Sequence, residues 1–133
     1  MKLCISSDWS LWACVPQCCV DSARYLMGIE LFNRAEFFDA HEVLEDVWRA
    51  APEGEKKFLQ GIIQVAVALY HHANGNSVGA RSLLRRAFRN LSHYPEGFAG
   101  VQLGALLHSI SDWQRAIDEG SPVPPFPKII VGK

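Results

Sequence analysis

His41 and Glu45 stand four residues apart in the run Phe37-Phe38-Asp39-Ala40-His41-Glu42-Val43-Leu44-Glu45-Asp46-Val47-Trp48-Arg49. On an α-helix such a pair projects from one face, one side chain above the other. An imidazole and a carboxylate so placed can share a proton or fill two positions on a metal ion. Phe37, Leu44 and Trp48 fall on or beside the same face, so both polar groups rest on apolar framing. Left unsatisfied in such surroundings, even a neutral polar group costs roughly 2–7 kcal/mol. His41 and Glu45 must therefore be hydrogen-bonded, paired or ligated.

A second polar series lies further along the chain, where Gln60, Gln64 and His71 recur at spacings of four and seven within an otherwise apolar segment. Consecutive helices joined by a short connection usually pack antiparallel, which would turn this stripe toward the His41/Glu45 face and bring His71 to the His41 end. The expected cluster is His41, Glu45, His71 and Gln64, with Glu42 and His72 as neighbours. Two imidazoles and a carboxylate with open positions are the ligand set of many catalytic metal sites, and helical bundles build such sites from facing helices. A divalent metal held by His41, Glu45 and His71 would activate a bound water for hydrolysis. Glu42 and Glu45 are the candidate catalytic carboxylates, with Gln60, Gln64 and Arg49 as a supporting polar network. The spacing differs from the His-Glu-x-x-His of zinc proteases, because the fifth position is Glu45 and only one imidazole comes from this helix.

The same residues admit a structural reading, in which His41 bonds Glu45 or a glutamine, Glu45 or Asp46 pairs with Arg49, and a backbone carbonyl satisfies His71. On that reading the chain is a non-catalytic helical interaction module and the cluster a buried hydrogen-bond network. Glu42 and Asp46 lie on the more exposed flank. Trp48 and Trp113 read as core fillers, and His93 and His108 as surface or boundary residues. No serine or cysteine occupies a nucleophile elbow and no glycine-rich phosphate loop follows a strand, so acyl-transfer and nucleotide chemistries have no support.

These residues must be positioned by helices, since the apolar pattern follows the 3.6-residue period from Asp21 onward. Asp21 or Ser22 caps a first helix carrying Tyr25, Leu26, Ile29 and Phe32, which ends near Asn33 to Ala35. Phe37 to Arg49 form the second. Pro52, with Glu53 and Glu55 behind it, opens a third helix running to His72, apolar nearly all round and hence central. Asn74-Gly75-Asn76 stops it, and Asn76 or Ser77 caps a fourth helix with Leu83, Leu84, Ala87, Phe88 and Leu91 inward. Gly79 and Ala80 are small enough for close approach to a neighbour. After Pro95-Glu96-Gly97 a fifth helix begins around Val101 and ends near Gly120. Ser121 to Pro127 must run extended, with Phe126 as its anchor. The expected fold is a single all-α bundle of about five helices over residues 21–133, with a variable cysteine-containing extension at 1–20 and an extended Pro-rich C-terminal tail.

With 133 residues, 49% of them hydrophobic, the chain suits one domain with a real core. Thirteen basic and fourteen acidic residues leave a formal charge of −1, so nucleic acid is not an expected partner. Arg81, Arg85, Arg86 and Arg89 read as a solvated face. No apolar run reaches the roughly 18 residues of a membrane span. Cys4, Cys14, Cys18 and Cys19 all precede residue 20, and their absence from the body of the domain fits a reducing, cytoplasmic setting. Asp8 interrupts the one stretch that could resemble a secretory signal. A small molecule, a protein partner and a second copy of the chain all stay open as binding partners.

The segments from Glu30 to Arg49 and from Phe58 to His71, followed by Gly75-Asn76 and Gly79-Ala80, resemble the small all-helical domain-of-unknown-function family 309. The similarity covers roughly residues 25 to 131. It implies a multihelical bundle whose His-Glu-x-x-Glu motif, here His41, Glu42 and Glu45, faces the helix of Gln60, Gln64 and His71. Members are commonly labelled metal-dependent hydrolases, which implies a divalent metal as cofactor. Where the family typically has glycine between its first two helices this chain has Ala35. A left-handed turn there costs alanine roughly 1 kcal/mol, so a reshaped turn is expected. The phrase Asn33 to Ala40 is also similar to the turn of tetratricopeptide-like helical pairs, but it occurs once and a repeat array is excluded.

Overall fold

A computed structural model of the protein describes residues 22–132. Five α-helices follow one another: α1 Ser22–Asn33, α2 Phe37–Ala50, α3 Glu53–Ala73, α4 Ser77–Leu91 and α5 Leu103–Glu119. The fold is all-α, as the periodicity requires. The four cysteines, the Asp21 cap and the boundary at residue 20 lie outside the described residues.

The helix ends are set by turn chemistry. At the close of α3 the Asn76 N–H donates to the His71 carbonyl at 2.8 Å and the Gly75 N–H to that of His72 at 3.0 Å, with Gly75 at φ 85°. This pair of bonds satisfies carbonyls that a helix end leaves open. Asn76 then caps α4, its Oδ1 accepting from the Gly79 N–H at 2.9 Å. The close of α1 repeats the arrangement: Glu36 N–H donates to Leu31 and Ala35 N–H to Phe32, both at 2.9 Å. Here the left-handed residue is Ala35, at φ 65°. The expected reshaping does not occur, because the paired bonds and the burial of Phe32 and Phe37 on either side hold the turn.

Ala35→Gly should therefore stabilise the protein by about 0.5–1 kcal/mol, somewhat less than the strain relieved, since glycine also loosens the unfolded chain. A rise in the urea midpoint at constant slope is the expected result. An unchanged or lower midpoint would mean that the turn stores no strain.

The core forms around α3, which packs against both α2 and α4, while α1 joins α2 and α5 joins α4. Phe58, Leu59, Ile62, Val65, Ala66, Ala68 and Leu69 of α3 are buried. Close approach is provided by Gly61, against Leu91 and Ala87 of α4, and by Gly28, against Leu44 of α2. Gly79 serves otherwise than expected, because the atoms a Cβ would meet belong to the capping Asn76. Leu26, expected on the inner face of α1, is 52% exposed. α5 begins two residues later than expected: Val101 leaves the helix to form an isolated antiparallel bridge with Val131.

The tail after α5 is tied to the bundle at two further places besides the Val101–Val131 bridge. Trp113 Nε1 donates to the Pro125 carbonyl at 3.0 Å, and its indole stacks on Phe126 at 5.7 Å, which in turn meets Phe37 edge-on at 5.1 Å. Asn33 then pairs with the Ile129 backbone in both directions, at 2.9 and 2.7 Å. The α4–α5 connection is anchored by Tyr94, whose hydroxyl donates to the Gly54 carbonyl at 2.9 Å. Burial raises that phenol above its ordinary value of 10.0, and the nearby Glu55 carboxylate adds to the rise.

Candidate functional site

The antiparallel α2–α3 connection places the first turns of α2 beside the last turns of α3. His41 and His71, thirty residues apart in sequence, consequently line one pocket with Phe37, Phe38, Val67 and Tyr70. The pocket has a volume of about 130 Å³ and opens to solvent, with Phe38 47% and Tyr70 40% exposed. Its rings touch one another: Phe38 and Tyr70 are 5.5 Å apart, Phe38 and His41 5.5 Å, and Tyr70 and His71 6.2 Å. Such spacings are those of attractive aromatic pairs.

His41 is held from two sides. Its Nδ1 lies 3.3 Å from the Phe38 carbonyl oxygen one turn back, and its Nε2 is 3.5 Å from Glu45 Oε2 one turn on. Glu45 is shared, since its other oxygen sits 3.6 Å from Arg49 Nη2. Arg49 binds Asp46 more closely, at 2.7 Å, and Arg24 of α1 reaches the same Asp46 at 2.6 Å. With side-chain exposures of 24% for His41, 41% for Glu45 and 63% for Arg49, this series runs along the surface. Exposed pairs of this kind contribute at most about 1 kcal/mol each. Glu42 is exposed and makes no hydrogen bond or ion pair among the described residues.

The glutamines part company with the histidines. Gln64 accepts from Asn90 Nδ2 of α4 at 3.0 Å, and Gln60 is exposed. The stripe therefore divides, with Gln64 turned to α4 and His71 to the α2 residues of the pocket. Of the two partners expected for His41, His71 lines the same pocket while Gln64 bonds Asn90 of α4, so the cluster is a surface pocket instead of a buried network. Nor does His72 join it. Its ring stands edge-on to Trp113 at 5.0 Å, and its Nδ1 is buried without a hydrogen-bond partner among the described residues.

A divalent ion implied by the motif would need about three protein ligands in a catalytic site. The 3.5 Å between His41 Nε2 and Glu45 Oε2 is close to the bite of two ligands on one ion. Among the described residues, no group of three His, Cys, Asp or Glu side chains converges tightly enough to hold one. The residues as arranged therefore offer two ligands, and no catalytic step through a metal is derived from them. What the arrangement does offer is an apolar recess walled by rings, with imidazole nitrogens at its rim. Sequence reasoning had His41, His71 and Phe37, but it passed over Phe38, Val67 and Tyr70 as lining. Their signal was present, because Phe38 precedes His41 by three residues and Val67 precedes His71 by four, the spacings of same-face neighbours on a helix.

No helix among the described residues is long and apolar enough to cross a membrane. An uncharacterized protein of Bacillus subtilis (strain 168), YpuF, is 37% identical over 93 residues, which cover 68% of this chain and 53% of the relative. An uncharacterized protein of Aquifex aeolicus (strain VF5) is 29% identical over 92 residues, covering 68% of this chain and 28% of its own length. The chain thus spans about half the length of the first relative and under a third of the second. Residues 25–83, the stretch that holds both pocket histidines and Glu42, Glu45, Gln60 and Gln64, match the model of a domain of unknown function, DUF309, so that over its first helices this chain resembles the family to which its His-Glu-x-x-Glu motif points.

Proposed function

We propose that this domain is a non-catalytic helical binding module whose site is the α2–α3 pocket. The observation that carries this reading is the meeting of His41 and His71 in one open recess whose other walls are Phe37, Phe38, Val67 and Tyr70. Large side chains on a surface without a partner are an expense in solubility that binding sites accept, and sites of this kind combine apolar walls with a few polar groups that fix orientation. At about 130 Å³ the recess suits one compact group, a side chain or a head group, and falls short of the roughly 300–1,000 Å³ typical of drug-sized ligands. Titrating the labelled protein with small aliphatic and aromatic fragments tests the reading by NMR. Shift changes concentrated at the six lining residues, and lost in Phe38→Ala and Tyr70→Ala, are expected. Hits scattered over the surface, or none, would overturn it.

One observation favours a second reading, a metal-assisted hydrolase: the 3.5 Å pair of His41 and Glu45 already has a chelating separation, and His71 would have to swing toward it from the same recess to complete the set, with Glu42 as the candidate general base. Metal analysis of protein purified without a histidine tag separates the two. Stoichiometric metal that His41→Ala and His71→Ala each abolish would favour the hydrolase. Substoichiometric metal, indifferent to both substitutions, would leave the binding module.

A further inference from the structure

We infer that the pocket is a cage for an organic cation, with a trimethylammonium or similarly methylated amine as its ligand class. This inference rests on the binding-module reading and names the chemistry of its ligand. Five of the six lining residues carry rings, namely Phe37, Phe38, His41, Tyr70 and His71. Aromatic faces attract cations through the negative charge of the π-cloud, and assemblies of such faces are how proteins hold quaternary ammonium groups, which have no N–H to donate.

The charge around the recess has the matching sign. No lysine or arginine lines it among the described residues. Glu42 stands four residues after Phe38, the spacing of same-face neighbours on a helix, and is exposed without a side-chain hydrogen bond or ion pair among the described residues. Asp46 and Glu45, by contrast, are already engaged by arginines. A carboxylate left without a partner beside an aromatic recess favours a cation over a neutral group of equal shape, and repels an anion. The volume agrees as well, since about 130 Å³ accommodates one methylated ammonium head.

The test compares choline with its neutral carbon isostere, in which a tert-butyl group replaces trimethylammonium. Both are titrated into the full chain by NMR at mildly alkaline pH, where free imidazoles are neutral. Choline should bind roughly five- to thirtyfold more tightly than the isostere, with shift changes at Phe38, His41, Tyr70 and His71. Glu42→Gln should weaken choline about two- to fivefold and leave the isostere unaffected, an effect that added salt reproduces. Phe38→Leu, at an exposed position that tolerates leucine, should remove the preference for choline while apolar contact persists. Equal binding of the two probes would overturn the cation cage and leave the binding module standing. Binding of neither would overturn both.

Discussion

Trp113→Ala is expected to lower the unfolding free energy by about 3–5 kcal/mol, a large share of the stability of a domain of this size. The indole is 1% exposed, and three separate structures meet on it. α5 supplies it, His72 at the end of α3 stands edge-on to it at 5.0 Å, and the tail lies along it through Phe126 and the Pro125 carbonyl. Removing it opens a cavity and at the same time releases the first part of the tail, whose later residues stay tied through the Asn33–Ile129 pair and the Val101–Val131 bridge. Phe126→Ala supplies the control, because that ring is 40% exposed and its loss should cost about 1 kcal/mol of buried area. Urea unfolding reads the size of each effect. Limited proteolysis reads the tail: cleavage after residue 120 should quicken in both variants, whereas only Trp113→Ala should shift the midpoint strongly. A shift of under about 1 kcal/mol in Trp113→Ala would mean that the junction of α3, α5 and the tail does not depend on the indole.

Much of this architecture could be read from the chain because helix periodicity and punctuation coincided. Pro52 and Asn74-Gly75-Asn76 delimit α3 where the apolar pattern also begins and ends. Where the two signals separate, the reading fails in specific ways. Val101 continues the apolar period of α5, yet the positive φ of Gly100, at 79°, turns the backbone so that Val101 bridges Val131 instead. Ala35 shows the converse, since local preference argued against a left-handed turn that tertiary packing imposes. Gly61 and Gly28 gave no signal at all, because a glycine inside a helix looks like a local weakness until the neighbouring side chain is known.

The candidate site was legible in its azimuth and illegible in its depth. Periodicity correctly set His41 on the side of Phe37 and Leu44, but a helix face includes shoulders. Leu44 is fully buried while the His41 side chain retains 24% exposure. That difference converts a cluster demanding internal satisfaction into a rim facing water, where Glu45 can divide itself between His41 and Arg49. Gln64 was misassigned for a related reason. A helix flanked by two others has two lateral edges, and nothing in a single spacing of four says which neighbour an edge residue will reach. Asn90, the partner it found, lies in α4.

Gly61→Ala should destabilise the protein by about 1–2 kcal/mol, although alanine is the better helix former by about 1 kcal/mol. A Cβ at this position would come within 2.7 and 2.8 Å of Leu91 Cγ and Cδ2, and 3.5 Å from the Ala87 carbonyl oxygen. Leu91 is fully buried, so it has little room to yield, and α3 and α4 would have to separate. Leu91→Ala alone should cost about 2–5 kcal/mol through the cavity it leaves. In the double variant the new methyl enters that cavity, and the helix preference of alanine is expressed without the clash. The two losses should therefore fall short of their sum by about 1–3 kcal/mol, with Gly61→Ala neutral or stabilising in the Leu91→Ala background. Additivity within about 0.5 kcal/mol would mean that the α3–α4 spacing is set elsewhere. Gly61 faces Leu91 and Ala87 of α4, whereas Val67, Tyr70 and His71 line the recess against α2, so fragment binding in the pocket should be affected far less than stability.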